Sequence, residues 1–172
     1  MQRLVEVYIP ENAPVRVRKL TCLYQAQKEG VYANIDFEVV AASGDPGHKS
    51  PLVGDRTHDN NFEGLEAVEF TFVLLDIFDN FLLSIQGIAG PGRYAVSGKK
   101  HKARWVFDLE GAFSQYHALC FPSQARFLDG RIWRCSREEC IDWLNVKLRD
   151  AGIALTEEDV FPENAAREGI IE

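Results

Sequence analysis

His48, Asp55, His58 and Asp59 are residue types that hold metal ions, and they crowd into one stretch with Asp45 just ahead of them. Imidazole nitrogens and carboxylate oxygens together form the donor set of zinc, and carboxylates that of calcium. Their spacing matches no compact ligand motif, and a loop rich in Asp and His creates such neighbours by composition alone. The expectation is a solvated loop, with metal or small-ligand binding by the 43–66 segment as the alternative. No cofactor and no catalytic residue is expected.

Nucleophilic chemistry finds less support. Cys120 follows His117 on a strand-like run, but three residues along a strand place two side chains on opposite faces. A Cys–His dyad is therefore not expected there. The cysteines are Cys22, Cys120, Cys135 and Cys140, without the CxxC spacing of a zinc or redox site. In a chain showing no secretory signal they read as buried thiols. The serine-hydrolase elbow, the zinc-protease helix and the phosphate-binding loop are all missing from the sequence. Gly90-Pro91-Gly92 reads as a turn. Trp105, Trp133 and Trp143 can form a platform for sugars or peptides, but read first as packing residues.

Asp76 is the one carboxylate whose position is itself informative. Phe70 to Gly87 reads as a hairpin, with Asp79-Asn80 at its turn. Phe78 then faces Phe81, and Leu74 faces Ile85. One face carries Phe70, Phe72, Leu74, Phe78, Phe81, Leu83 and Ile85. The other carries Thr71, Val73, Ser84 and Gln86, with Leu75 and Leu82 as apolar exceptions. A loop two residues longer leaves both faces unchanged. Asp76 falls on the apolar face, where an unpaired carboxylate is costly. The preferred reading is a cap on backbone N–H groups of the turn. A site acid, a metal ligand and exposure at the sheet rim are the other readings.

The remaining elements are mostly strands. Leu4–Ile9 alternates apolar and polar residues. Val15–Ala26 and Val31–Ala42 form a hairpin around Lys28-Glu29-Gly30, and Lys102–Leu109 is another strand. Ser43–Glu66 is expected to be irregular. Tyr116–Phe127 turns through Asp129-Gly130 into Ile132-Trp133, which sets Arg126 opposite Trp133 as a cation–π pair. Pro122 marks an edge or a bulge. Ser136 and Glu139 fit a capping box that opens a helix ending near Gly152. Its buried stripe is Cys140, Ile141, Leu144, Leu148 and Ala151, while Val146 points away. Thr156–Asp159 can start one more helical turn, and Pro162–Glu172 reads as a frayed polar end.

Composition bounds the partners. The chain has 172 residues, 46% hydrophobic and 26% charged, with a net charge of −7. That is an ordinary composition for a soluble domain, and its acidity argues against nucleic acid as a partner. The basic groups Arg16, Arg18, Lys19 and Lys99, Lys100, His101, Lys102, Arg104 read as solvated strand edges or loops. No run approaches the ~18 apolar residues of a membrane-spanning helix. The expected location is cytoplasmic.

Phe72-Val73-Leu74-Leu75-Asp76 resembles the FxLYD-type motif of small bacterial and archaeal β-sandwich domains. Arg126-Phe127-Leu128-Asp129-Gly130-Arg131-Ile132-Trp133 is similar to a terminal hairpin of related immunoglobulin-like modules. The resemblance implies an interaction or structural domain, often at the cell envelope, and brings no catalytic residues. The chain departs from it in having Leu75 where the motif has tyrosine, in lacking a visible export signal, and in the helix after the last strand. The expected architecture is a mainly β, antiparallel, immunoglobulin-like sandwich of about seven to nine strands with one C-terminal α-helix. Sandwich (about 3–134), helix (about 136–151) and polar tail (153–172) make up a single domain. The expected function is a non-catalytic protein-interaction or structural module that binds a protein partner or itself.

Overall fold

The computed structural model describes residues 5–40, 64–96, 98–108, 114–163 and 167–169. Among them ten strands build two sheets. β1 (Val5–Val7), β2 (Val15–Gln25) and β3 (Gly30–Val39) come first. β4 (Gly64–Leu75), β5 (Phe81–Ala89), β6 (Tyr94–Ala95) and β7 (His101–Phe107) form the middle of the chain. β8 (His117–Phe127) and β9 (Ile132–Arg134) precede the helices α1 (Arg137–Lys147) and α2 (Glu157–Val160). β10 (Arg167–Gly169) closes the series.

The smaller sheet has the order β2-β3-β7. The larger runs β1-β8-β4-β5-β10, with β6 on β4 and β9 on β8. Thus β2-β3-β7 faces β9-β8-β4-β5, the A-B-E and G-F-C-C′ strand order of an immunoglobulin-like sandwich. The long pairs are antiparallel: β2–β3 and β4–β5, as their hairpin signals require, and also β3–β7 and β4–β8, which join strands distant in sequence. Two short edge strands run parallel instead, β1 along β8 and β10 along β5. Alternation had no means of showing this, because it fixes which face a residue takes and not which strand lies beside it.

Between the sheets lies a core of Val31, Ala33, Ile35 and Phe37 from β3, Phe70, Phe72 and Leu74 from β4, Ile85 from β5, and Trp105 and Phe107 from β7. The Trp105 ring meets Phe70 and Phe72 at centroid distances of 5.9 and 5.7 Å, and its indole N–H donates to the Ile88 carbonyl at 3.1 Å. It leans directly over Gly87, where an added Cβ would lie 2.7 Å from two ring carbons. Alanine at Gly87 is therefore expected to overpack the core and lower stability by about 1–3 kcal/mol. Urea denaturation of the single variant measures it.

The outer face of the larger sheet is covered too. Val73 and Leu75 of β4 and Leu119 and Phe121 of β8 pack against Cys140, Leu144 and Leu148, and against Leu155, Val160 and Phe161 beyond the helix. This explains Leu75 as an apolar residue on the second face. It also corrects the reading of the chain's end. Leu155, Val160 and Phe161 are buried, and residues 167–169 pair with β5. The described residues after Gly152, 153–163 and 167–169, add buried side chains and a strand where a polar tail was expected.

Helix α1 starts where expected, with Ser136 as N-cap accepting the Glu139 N–H at 3.3 Å, but its α-helical part ends at Lys147, short of the expected 151. Only half of the expected capping box forms. The Glu139 carboxylate leaves the helix end and accepts from the Tyr8 hydroxyl and the Glu11 N–H. The complete box is one helix later, between Thr156 and Asp159. Cys140, Leu144 and Leu148 are buried and Val146 is 59% exposed, as the stripe requires, but Ala151 is exposed. A tighter 3-10 turn at Arg149–Ala151 rotates it off the helical stripe before Gly152 ends the element at φ 72°.

Both hairpin registers differ from the sequence expectation. In β4–β5 Phe72 pairs with Ile85 and Leu74 with Leu83, two residues from the expected pairing, because Asp76–Asn80 form a longer loop. Phe70, Phe72, Leu74 and Ile85 keep their core face, and Phe78 moves to the exposed tip. A bulge after Leu74 also turns Phe81 toward the helix layer and Leu82 toward the core. In β8–β9 the slip is one residue, with Arg126 opposite Ile132 and Ala125 opposite Trp133. The Phe127 N–H donates to the Arg131 carbonyl at 2.8 Å, closing a three-residue loop of Leu128, Asp129 and Gly130. The Arg126–Trp133 pair is thereby replaced by Arg131 over the Phe127 ring at 4.6 Å, with its guanidinium held by Asp129 at 2.7 Å.

Pro122 is the expected bulge, in a central strand. The pairing with β4 skips Ser123, and Pro122 sits where the partner on the other edge changes from β1 to β9. At that junction a residue without an N–H costs the ladder nothing.

Candidate functional site

One end of the sandwich gathers polar groups from four elements. The β4–β5 loop begins with Asp76. Its Oδ1 accepts from the Phe78 N–H at 2.8 Å and the Asn80 N–H at 2.9 Å, and its Oδ2 accepts from the Asn80 side-chain amide at 3.0 Å. The sequence reading of Asp76 as a turn cap thus describes what the side chain does. These bonds, first among them the one from the Asn80 amide, hold the carboxyl below its ordinary range. Asp79 takes a left-handed φ of 59°, which its short side chain tolerates.

Asp76 gives a pH signature with a definite sign. A carboxyl whose folded pKa is lowered contributes above its unfolded value, and the contribution is lost as pH falls through the folded value. The clamp is therefore intact at neutral pH and opens in acid. The Phe78 and Asn80 amide resonances should titrate together below the ordinary aspartate range. Resonances that stay fixed down to acid unfolding would show that Asp76 does not hold the loop.

Behind the loop stands His117, the first residue of β8. The β4–β8 pairing sets it opposite Leu75. Its Nδ1 lies 3.0 Å from Asp79 Oδ1, and since a carboxylate only accepts, Nδ1 carries the proton of that bond. Nε2 lies 3.7 Å from Glu6 Oε1 on β1, beyond hydrogen-bond reach, and Glu6 Oε2 meets Lys147 of α1 at 2.7 Å. A loop, two strands and a helix are tied into one chain of charged and polar groups.

Asp79 and His117 have the form of a general-base dyad, a carboxylate orienting an imidazole. The ring's outer nitrogen must then reach a substrate. Here Nε2 is buried and has no hydrogen-bond partner among the described residues, so as placed it is not presented to solvent. As placed, the ring positions the loop. Cys120 supplies no nucleophile to it. It lies in the core between the sheets, while His117, Leu119 and Phe121 alternate onto the other face.

The other residues singled out by sequence are widely separated. His48, Asp55, His58 and Asp59 lie outside the described residues. Among the described residues no three His, Cys, Asp or Glu side chains are grouped to hold a metal ion. Trp105 is core, Trp133 packs at the core's margin, and Trp143 stacks on Tyr8 at 5.1 Å. Arg16, Arg18 and Lys19 lie on edge strand β2, His101, Lys102 and Arg104 on edge strand β7, and Lys99 and Lys100 in the loop before it. Arg18 pairs with Glu38 at 2.7 Å, and Arg104 donates to Asn34 at 2.8 Å. A bulge between Val17 and Lys19 bends β2, which with its charges makes that edge a poor template for another strand.

A shallow hollow of about 170 Å³ lies on the outer face of the larger sheet, beside the region covered by the helices. Ala67, Ile88 and Ile132 line it, with Arg126 at its margin. Its one buried acid, Glu69, accepts from Ser123 Oγ at 2.8 Å and Gln124 Nε2 at 3.0 Å. Those bonds fit a residue fixing the β8 bulge.

The surface near His117 has a different character. Phe78 is 78% exposed and Ile77 57%. Val7 and Val146, also exposed, adjoin Glu6 and Lys147 in sequence, as Phe78 adjoins Asp79. Sequence reasoning missed this combination, because the expected register put Phe78 inside and His117 showed no partner. The signal available was Asp76. A capped turn beginning there requires a loop long enough to carry Ile77 and Phe78 out of the sheet.

No family model, curated protein or solved structure matches the chain. The likeness to FxLYD-type domains rests on its motif residues. Among the described residues no helix is long and apolar enough to cross a membrane.

Proposed function

We propose that this protein is a non-catalytic protein-interaction module whose contact element is the β4–β5 loop. The observation that carries the reading is the exposure of Ile77 and Phe78 on a loop whose backbone Asp76 clamps from within. Exposed apolar surface forgoes roughly 25 cal/mol per Å² of burial. A loop held rigid loses little conformational freedom on docking, so more of that energy is left for binding. Aromatic side chains in such positions are the usual anchors of protein interfaces. The buried Nε2 of His117 supports a binding role over a catalytic one.

The test has two arms. Sedimentation over a concentration series compares wild type with the Ile77→Ser/Phe78→Ser double variant. Self-association through the loop gives a mass that rises with concentration in wild type and stays monomeric in the variant. A photo-crosslinking amino acid at position 78 then reports contact with a different protein in a native extract. Equal masses together with no crosslinked product would overturn the reading.

A further inference from the structure

We propose that Cys135 and Cys140 are a redox-active dithiol pair. In it Cys135 is the attacking thiol, Cys140 the resolving thiol, and a low-molecular-weight disulfide of the glutathione type the oxidant. The argument begins with helix capping. Ser136 is the N-cap of α1, so Cys135 occupies N′ and Cys140 occupies N4. Those two positions are brought together at a capped helix start, where apolar side chains commonly pack on each other. Here two thiols take their place. Cys135 packs on the cluster that contains Cys140. The site is rigid on both sides. The Cys135 N–H donates to the Ser123 carbonyl at 3.0 Å, and Cys140 sits in the first helical turn.

The two sulfurs differ in the way such chemistry requires. Cys135 is half-buried and open to a small reagent, while Cys140 is fully buried. The thiol proton of Cys140 supports a thiolate on Cys135 and lowers its pKa, with Arg137 adding to the effect. Cys140 is shifted the opposite way, first by that interaction and then by burial. A thiolate at the start of a helix also faces free backbone N–H groups and the positive end of the dipole. The remaining two cysteines, Cys22 and Cys120, are buried in the sandwich core.

The chemistry balances in two exchanges. The Cys135 thiolate attacks one sulfur of the small disulfide. Its S–S bond breaks, a mixed disulfide forms on Cys135, and one small thiolate leaves. The charge that held the Cys140 proton is then gone. That proton passes to the departed thiolate or to water, and the Cys140 sulfur attacks Cys135. The mixed disulfide breaks, a second small thiolate leaves, and the Cys135–Cys140 bond closes. Two electrons move from the protein dithiol to the reagent, which ends as two thiols. The product links N′ to N4 and locks the start of α1, the helix that covers Leu119 and Phe121.

The experiment equilibrates the folded protein with mixtures of reduced and oxidised glutathione, alkylates the remaining thiols, and maps them by peptide mass. In wild type Cys135 and Cys140 should lose their alkylation together and appear in one disulfide-linked peptide, while Cys22 and Cys120 stay reduced. Cys140→Ala should accumulate glutathione on Cys135. Cys135→Ala, a change at a half-buried position, should leave Cys140 reduced throughout. At neutral pH, Cys135 in reduced wild type should react with iodoacetamide at least tenfold faster than the other thiols. Full alkylation of both residues under oxidising conditions would overturn the proposal, as would a disulfide joining any other pair. The wild-type map decides the matter even where a variant folds poorly.

Discussion

Replacing Trp105 by alanine is expected to lower the unfolding free energy by about 3–5 kcal/mol, the largest effect of any single core truncation in this chain. The ring is wholly buried and touches both sheets. It stands on β7 of the smaller sheet, packs on Phe70 and Phe72 of β4, and donates to the Ile88 carbonyl next to Gly87 on β5. Truncation loses the transfer free energy of a large aromatic. It also opens a cavity that two hydrogen-bonded sheets cannot close by collapsing. The flat backbone at Gly87, shaped to the ring, would face empty space. Against a typical domain stability of about 5–15 kcal/mol, that loss removes a large share of the total. Trp105→Phe divides the effect. It keeps most of the packing and leaves the Ile88 carbonyl without its indole donor, so a loss of about 1–3 kcal/mol is expected. Urea midpoints at constant slope measure both variants. A Trp105→Ala midpoint within about 1 kcal/mol of wild type would show that the ring is not the link between the sheets.

The sandwich was legible because its residues report their own faces. Val31, Ala33, Ile35, Phe37 and Val39 alternate without interruption, and all five are buried. A face assignment of this kind survives a register change of two, which is why Phe70, Phe72 and Leu74 kept their place although the hairpin paired differently. It does not survive a change of one, and there the Asp129-Gly130 turn misled. Asp129 accepts from both the backbone and the side chain of Arg131, which stabilises a three-residue loop over the two-residue form that the dipeptide signals. Arg126 and Trp133 therefore never face each other.

What stayed illegible depends on pairings distant in sequence. Leu75, Leu119 and Phe121 read as strand residues. Nothing local says that their outer face belongs to a helix layer. Glu6, Asp79, His117 and Lys147 lie on a strand, a loop, a second strand and a helix, and only the parallel docking of β1 on β8 assembles them. Cys135 and Cys140 are the instructive intermediate case. Their spacing carries no motif, yet the capping residue between them fixes N′ and N4. The juxtaposition follows once Ser136 is taken as the N-cap.

The helix layer itself makes the second large prediction. Leu144→Ala is expected to lower stability by about 2–5 kcal/mol. Leu144 is wholly buried, and its cluster includes Val73 and Leu75 from β4 and Leu119 and Phe121 from β8. Those four residues face outward from the strands whose other face makes the sandwich core. If α1 lifted away, an apolar sheet surface would meet water, so the helix and the sandwich should unfold as one cooperative unit. Trp fluorescence reports on Trp105 in the core, Trp133 at its margin and Trp143 on α1, while far-UV circular dichroism follows strands and helix together. In wild type and in Leu144→Ala the two signals should give one shared midpoint, moved lower in the variant. Two separated transitions would show that α1 is a detachable layer. The sandwich would then be stable alone, with Val73, Leu75, Leu119 and Phe121 as an apolar surface that the helix only shields. An unchanged midpoint would remove Leu144 from the packing altogether. A single lowered midpoint would make the helix part of the fold, and would make any covalent lock at its first turn a device acting on the stability of the whole domain.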